Sequence, residues 1–201
     1  MFLKLPMLFC DAPAVRRGMA LLVATLAWSL FSPPAQAEDT VSLMQPEDAW
    51  SFYHGAEFPG AKGSLKFDDE VKHSGQSTLK LTGDFTGGGG YVQAGRKLED
   101  VDVRELSFWI LSPNADHLTV RFGDASGQTH QIVLKNEASP DWQHISLPLE
   151  RFFERRGQAD AVTTVAKYES WGGAKDGRWH GPAKAVYLLV SNRGANKLRT
   201  V

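Results

Sequence analysis

The chain has 201 residues and a formal net charge of -1, with 42% hydrophobic and 22% charged side chains. That balance fits a globular fold and excludes a disordered or collagen-like one. The near-neutral charge excludes a nucleic-acid partner, which needs surplus Lys and Arg on one face, and the lone Cys10 excludes a disulfide framework or a cysteine zinc site.

In chain order, Lys4, Arg16 and Arg17 form a basic leader, an apolar run follows over residues 19–31, and Ala35-Gln36-Ala37 offers a small-residue cleavage site. This is the order of a secretory signal peptide. The run is too short for a bilayer, which takes roughly 20 apolar residues. The expectation is a signal peptide at 1–37, a domain over 38–201 with no transmembrane segment, and export to the periplasm or the medium. Removing the leader leaves the rest slightly acidic and free of cysteine, so an ordinary hydrophobic core must hold it.

Strand patterns follow. Residues 77–81 and 118–122 alternate polar and apolar side chains, 105–111 begins in alternation and ends as an apolar run, and the short strand-like segments 131–134, 144–147 and 185–190 follow. Alternation at this length marks strands with one buried face. Asp68-Asp69, His73-Ser74-Gly75, the glycines 87–90, Ser112-Pro113-Asn114, Asp124-Ala125-Ser126-Gly127 and Ser139-Pro140-Asp141 read as turns. Residues 149–156 suit a helical turn or two. Such spacing predicts an all-β fold, an antiparallel β-sandwich or jelly roll. Its inward set is Leu79, Leu81, Leu106, Phe108, Ile110, Leu118, Val120, Phe122, Ile132, Leu134, Ile145, Leu147, Val186 and Leu188, with Trp109 and Tyr187 on the opposite face. Residues 197–201 begin as a further strand and then stop, which reads as a domain truncated at its last strand.

The densest chemistry lies at 168–182, with Tyr168, Trp171, Trp179, His180, Asp176, Arg178 and several glycines. Glycine and Pro182 break any helix or strand through its middle. Large aromatics on such a loop either fold back on the core or serve a ligand. Aromatic faces beside planar polar groups suit sugars, whose apolar C–H face stacks while the hydroxyls are hydrogen-bonded. A sugar covering ~100 Å² of a Trp face gains roughly 2–3 kcal/mol, less than the association cost of at least about 4 kcal/mol, so several groups must converge.

Thr86 and the glycines 87–90 present Tyr91. Arg121, Gln128, His130 and Gln131 fall on two strands that would form a hairpin, with Arg121 and His130 on one concave face. The candidate ligand-binding residues are therefore Tyr91, Arg121, Gln128, Trp171, Asp176, Arg178, Trp179 and His180. Asp68 and Asp69, with Glu70 and His73 nearby, are hard-oxygen candidates for a structural calcium. The six histidines show no metalloprotease spacing, and no serine-nucleophile turn occurs.

Gly55-Ala56-Glu57-Phe58-Pro59-Gly60-Ala61-Lys62-Gly63, the run 73–81, Gly127-Gln128-Thr129-His130-Gln131 and Trp171-Gly172-Gly173-Ala174 together resemble galactose-binding-like jelly-roll modules of the carbohydrate-binding type. Such modules stand at the N-terminus of exported bacterial proteins, often ahead of a glycoside-hydrolase-like barrel. The resemblance spans most of 50–190. It implies a sandwich of two antiparallel sheets, a glycan partner, a catalytic C-terminal domain elsewhere in the full-length protein, and a structural calcium. The acidic residue that completes the metal site from the last strand of such folds is missing before Val201. Beside a non-catalytic glycan-binding module, two alternatives stand: a structural or assembly sandwich without a small ligand, and a small glycan-active enzyme.

Overall fold

The computed structural model describes residues 42–158, 162–194 and 196–201; the leader 1–37 lies outside them. A 3-10 turn, Glu47–Ala49, leads into eleven strands: β1 (Trp50–Tyr53), β2 (Lys62–Asp68), β3 (Thr78–Asp84), β4 (Tyr91–Val101), β5 (Leu106–Ser112), β6 (Leu118–Gly123), β7 (Gln128–Leu134), β8 (Ser139–Leu147), β9 (Val165–Gly172), β10 (Ala183–Ser191) and β11 (Leu198–Thr200). One α-helix, α1 (Leu149–Glu154), lies between β8 and β9.

The strands form a six-stranded sheet in the order β1-β4-β10-β6-β7-β9, a three-stranded sheet β11-β3-β2 and a β5-β8 pair. Every pairing is antiparallel. The sheets pack together as a β-sandwich. Leu81 of β3, Ile110 of β5 and Ile145 of β8 share one core with Val120, Ile132 and Val186 of the large sheet. All of the expected inward side chains join it, and Trp109 and Tyr187 fall on the opposite faces of their strands. The cause is the period of two: Val186 pairs with Phe122 and Leu188 with Val120, so one register fixes both strands.

Two local expectations change. Ser139-Pro140-Asp141 is the start of β8, not a turn. Pro140 is tolerated there because β8 pairs only with β5, so a missing N–H can face away from the ladder. Residues 168–172 belong to β9, so the aromatic loop begins only after Gly172. At the other end, Leu198–Thr200 pairs with β3, and Val201 exchanges backbone hydrogen bonds with Leu81. Buried Arg199 donates from Nη1 to Asp116 Oδ1 at 2.8 Å, which holds that carboxyl down at about 2.

The glycines 87–90 connect β3 to β4 and lie against the loop 55–61. Gly60 has φ +119°, and a Cβ there would sit 2.3 Å from the Gly87 carbonyl oxygen. Glycine is required because two backbones meet. This contact sets Phe58 beside Tyr91, with ring centroids 6.4 Å apart.

Candidate functional site

The outer face of the six-stranded sheet carries the residues that alternate with the core set. Register places Gln93 beside Tyr53 and Leu189, Arg121 between Tyr187 and Gln131, and Gln131 beside Glu169. Tyr91 and Trp171 occupy the same face, by the period of two from Gln93 and Glu169. Three predicted residues thus come together here: Tyr91, Arg121 and Trp171.

Arg121 is the centre. Its guanidinium carbon lies 4.9 Å from the Tyr91 ring centroid and 5.3 Å from that of Trp171. Both distances are within cation–π range. Nε donates to Gln131 Oε1 at 2.7 Å, and Nη1 donates to Gln93 Oε1 at 3.4 Å. Gln131 Nε2 in turn donates to Glu169 Oε2 at 2.9 Å, and Glu169 pairs with Lys167 at 2.7 Å. Trp171 remains 44% exposed.

Glu57 supports the rim. Its carboxylate accepts hydrogen bonds from the Tyr91 hydroxyl and, at 2.7 Å, from the Tyr53 hydroxyl. Those two donors, with the Arg121 charge, hold the Glu57 carboxyl below its usual range. Burial and the bond to Glu57 push the Tyr91 hydroxyl upward. The ion pair with Lys167 lowers Glu169. A cleft of about 350 Å³ opens here, lined by Phe58, Tyr91, Arg121, Gln131, Asn192 and Arg193 among others. That is within the range of small-ligand sites, about 300–1,000 Å³.

The other predicted residues lie elsewhere. Gln128 is fully buried, and its amide clamps the 173–182 loop: Nε2 donates to the Arg178 carbonyl at 2.7 Å, and Oε1 accepts from Gly177 N at 3.1 Å. Trp179 is half-buried on the core side, stacked on Phe153 of α1 at 4.5 Å and 3°, with edge contacts to Phe122 and His130. The convergence of Trp179 with Trp171 and Tyr91 is therefore not found. Asp176 and His180 pair with each other at 3.0 Å near the surface. Exposed Arg178 lines a separate hollow of about 450 Å³ with Trp179, Phe153 and Arg104. His130 does not share a face with Arg121. It pairs with Phe122, while Arg121 pairs with Gln131, so His130 points into the core.

Asp124 organises this inner region. Oδ1 accepts from Ser126 N, Ser126 Oγ and Gln128 N, and Oδ2 accepts from His180 N and His130 Nε2. Burial alone would raise its carboxyl. The donors, Ser126 and His130 foremost, outweigh burial and hold it down. Burial depresses His130 although Asp124 opposes that. The partners fix its neutral tautomer: Nε2–H donates to the Asp124 carboxylate at 3.1 Å, and Nδ1 accepts from the Tyr168 hydroxyl at 2.6 Å.

Asp68 Oδ1 accepts from Glu70 N and Val71 N, and Oδ2 takes Lys80 Nζ at 2.9 Å. Those bonds lower its carboxyl to about 2. This is a capped turn whose cation is a lysine. Asp69 is exposed beside it. No group of three or more His, Cys, Asp or Glu is placed to hold a metal among the described residues.

Sequence reasoning left out Glu57, Tyr53 and Gln93 as site residues, and it noted Gln131 beside Arg121 without carrying it, or Glu169, into the binding set. The usable signal was the period of two: Gln93 follows Tyr91 by one pleat, as Trp171 follows Glu169. It also left out an outer cluster on the β5-β8 pair, where His73 stacks on Trp109 at 3.9 Å, with Trp142 and His144 alongside.

No protein-family model and no curated protein matches the chain. Among solved structures it is similar to an exo-beta-agarase, with TM-score 0.47 and 12% identity over 78% of this chain and 23% of that one. It is also similar to a beta-1,2-glucanase from Parabacteroides distasonis, with TM-score 0.44 and 15% identity over 75% of this chain and 21% of that one. The chain thus spans between a fifth and a quarter of the length of either protein. No helix among the described residues is long and apolar enough to cross a membrane.

Proposed function

We propose that the chain is a non-catalytic glycan-binding module that takes up its sugar on the outer face of the six-stranded sheet. The observation that carries this reading is the Arg121 guanidinium held between the Tyr91 and Trp171 rings beside an open cleft. Exposed Trp171 supplies a stacking face and Arg121 a fixed planar donor, while Tyr91, only 9% exposed, backs the guanidinium from below. The Trp171 face is worth roughly 2–3 kcal/mol, less than the association cost of at least about 4 kcal/mol, so several hydrogen bonds from Arg121 and its neighbours must supply the remainder to reach about -4 to -8 kcal/mol. Micromolar to millimolar binding of that kind suits a module acting beside others on a polymer.

Catalysis fits this cleft poorly. Glycoside hydrolysis needs one carboxyl kept protonated as the acid. Glu57 and Glu169 are both held ionised by their donors. The jelly-roll kinship, export through the leader 1–37, and a catalytic partner domain in a longer protein belong to the same proposal and rest on the sequence patterns.

Affinity electrophoresis through gels containing a panel of plant, algal and bacterial polysaccharides tests it. At least one should retard the wild type, and Trp171→Ala should migrate freely through that gel while melting like the wild type. No retardation in any gel, or equal retardation of Trp171→Ala, would overturn the proposal.

A further inference from the structure

Arginine carries five N–H donors and a permanent charge. Arg121 gives Nε and Nη1 to two neutral amides, Gln131 and Gln93. Among the described residues no carboxylate lies within 4 Å of it. The two nearby acids spend their hydrogen bonds on other partners: Glu57 on two tyrosine hydroxyls, and Glu169 on Lys167 and Gln131. Gln131 stands between Arg121 and Glu169, accepting from one and donating to the other, and so separates the carboxylate from the guanidinium. Tyr91 and Trp171 hold the guanidinium plane without neutralising it.

A half-buried cation with no carboxylate in contact, its charge met only at longer range by Glu57, bears a desolvation cost that an incoming anion offsets. Arg193 lines the same cleft, and among the described residues no carboxylate lies within 4 Å of it either, though its charge reaches Glu169 at longer range. A neutral sugar would satisfy the spare donors but leave both guanidinium groups without an anion in contact. A carboxylate or sulfate oxygen pair matches both the charge and the fork geometry.

We infer that the ligand is an anionic glycan, one whose uronate carboxylate or sulfate ester docks on Arg121 while its ring stacks against Trp171. This rests on the glycan-binding reading and narrows it to one class of sugar.

Matched polymers separate the two statements. The wild type is titrated, by affinity electrophoresis, against polygalacturonate and its carboxyl-reduced form, and against a sulfated galactan and its desulfated form. One charged polymer should bind at least about tenfold tighter than its neutral partner. The preference should shrink as salt rises from about 0.05 to about 0.5 M, where screening becomes short-ranged. Arg121→Gln should abolish the preference with its melting temperature kept. Which charged polymer is favoured tells carboxylate from sulfate. Equal or tighter binding of the neutral forms, or a preference insensitive to both salt and Arg121→Gln, would overturn the inference and leave glycan binding standing. Binding to none of the four, with none in the wider panel, would overturn both.

Discussion

Trp171 and Trp179 lie on opposite faces of the same sheet. Trp171 closes β9 beside Arg121 on the outer face, while Trp179 returns over the edge to stack flat on Phe153 beneath it. The difference is made by Gly172 and Gly173, both with positive φ, which turn the chain out of the strand. Composition makes the two tryptophans look equivalent, but position gives them different work.

The two alanine substitutions should therefore separate. Trp179→Ala should cost about 3 kcal/mol of stability, the low end for a large aromatic, because the ring is only partly buried. Trp171→Ala should change stability by no more than about 0.5 kcal/mol, as for an open surface position, and should abolish polysaccharide retardation. Chemical denaturation of both variants, run beside the binding gels, checks the split. The reverse pattern would place the ligand on the α1 side.

Glu57→Gln probes the rim. An amide offers one carbonyl oxygen where the carboxylate offers two, so the Tyr91 and Tyr53 hydroxyls cannot both keep their present acceptor. Stability should fall by about 1 kcal/mol or less, the net worth of one exposed hydrogen bond. Binding should weaken several-fold because Tyr91 loses its fixed orientation. Titration with the polysaccharide that retards the wild type measures it, and an unchanged affinity would mean that Tyr91 needs no support from Glu57.

The sandwich was legible in strands such as β6, where Leu118, Val120 and Phe122 alternate with Thr119 and Arg121, but not in the short β1 or in β2, although Leu65 and Phe67 alternate there with Ser64, Lys66 and Asp68. It was less legible in β4 and β9. β4 carries Gly95 in mid-strand, where the Tyr187 ring packs against it, and β9 is an edge strand whose polar outer face resembles a loop. The site was half legible for the same reason. Aromatic and charged residues near glycines stand out in composition, whereas the face each one joins depends on register. His130 shows this most clearly: one residue of offset from Gln131 moves it from the cleft to the core.

Two glycines should respond differently to alanine. At Gly60 the added Cβ would meet the Gly87 backbone at 2.3 Å, on top of a positive φ. Gly60→Ala should cost about 2–3 kcal/mol, toward the upper end for single substitutions. It should also weaken binding, because the same loop contact seats Phe58 and Tyr91. At Gly75, φ is +75° but nothing lies within 4 Å of the new atom. Gly75→Ala should cost only the left-handed penalty, about 1–2 kcal/mol, and leave binding unchanged. Thermal melts and gel retardation of the pair test this.

The buried Asp124–His130 pair predicts the acid response of the fold. His130 is 0% exposed and depressed by burial, so the folded chain keeps it neutral at a pH where the unfolded chain has already protonated it. Below the unfolded histidine value of about 6.5, the unfolded state therefore binds the extra proton, and stability falls with pH by up to about 1.4 kcal/mol per unit. The loss continues until the folded state also takes up the proton. Asp124 is held low by its donors, so its contribution is present above the unfolded carboxyl value of about 3.9 and disappears only in stronger acid. Melting temperature should thus be level above about pH 7, decline through about pH 6 to 5, and drop again near about pH 3. Nitrogen-15 NMR of the ring should find His130 still neutral, with its proton on Nε2, at a pH below its ordinary value. A His130 that titrates at or above that value, with a flat melting profile from about pH 7 to 5, would show that burial does not control this ring.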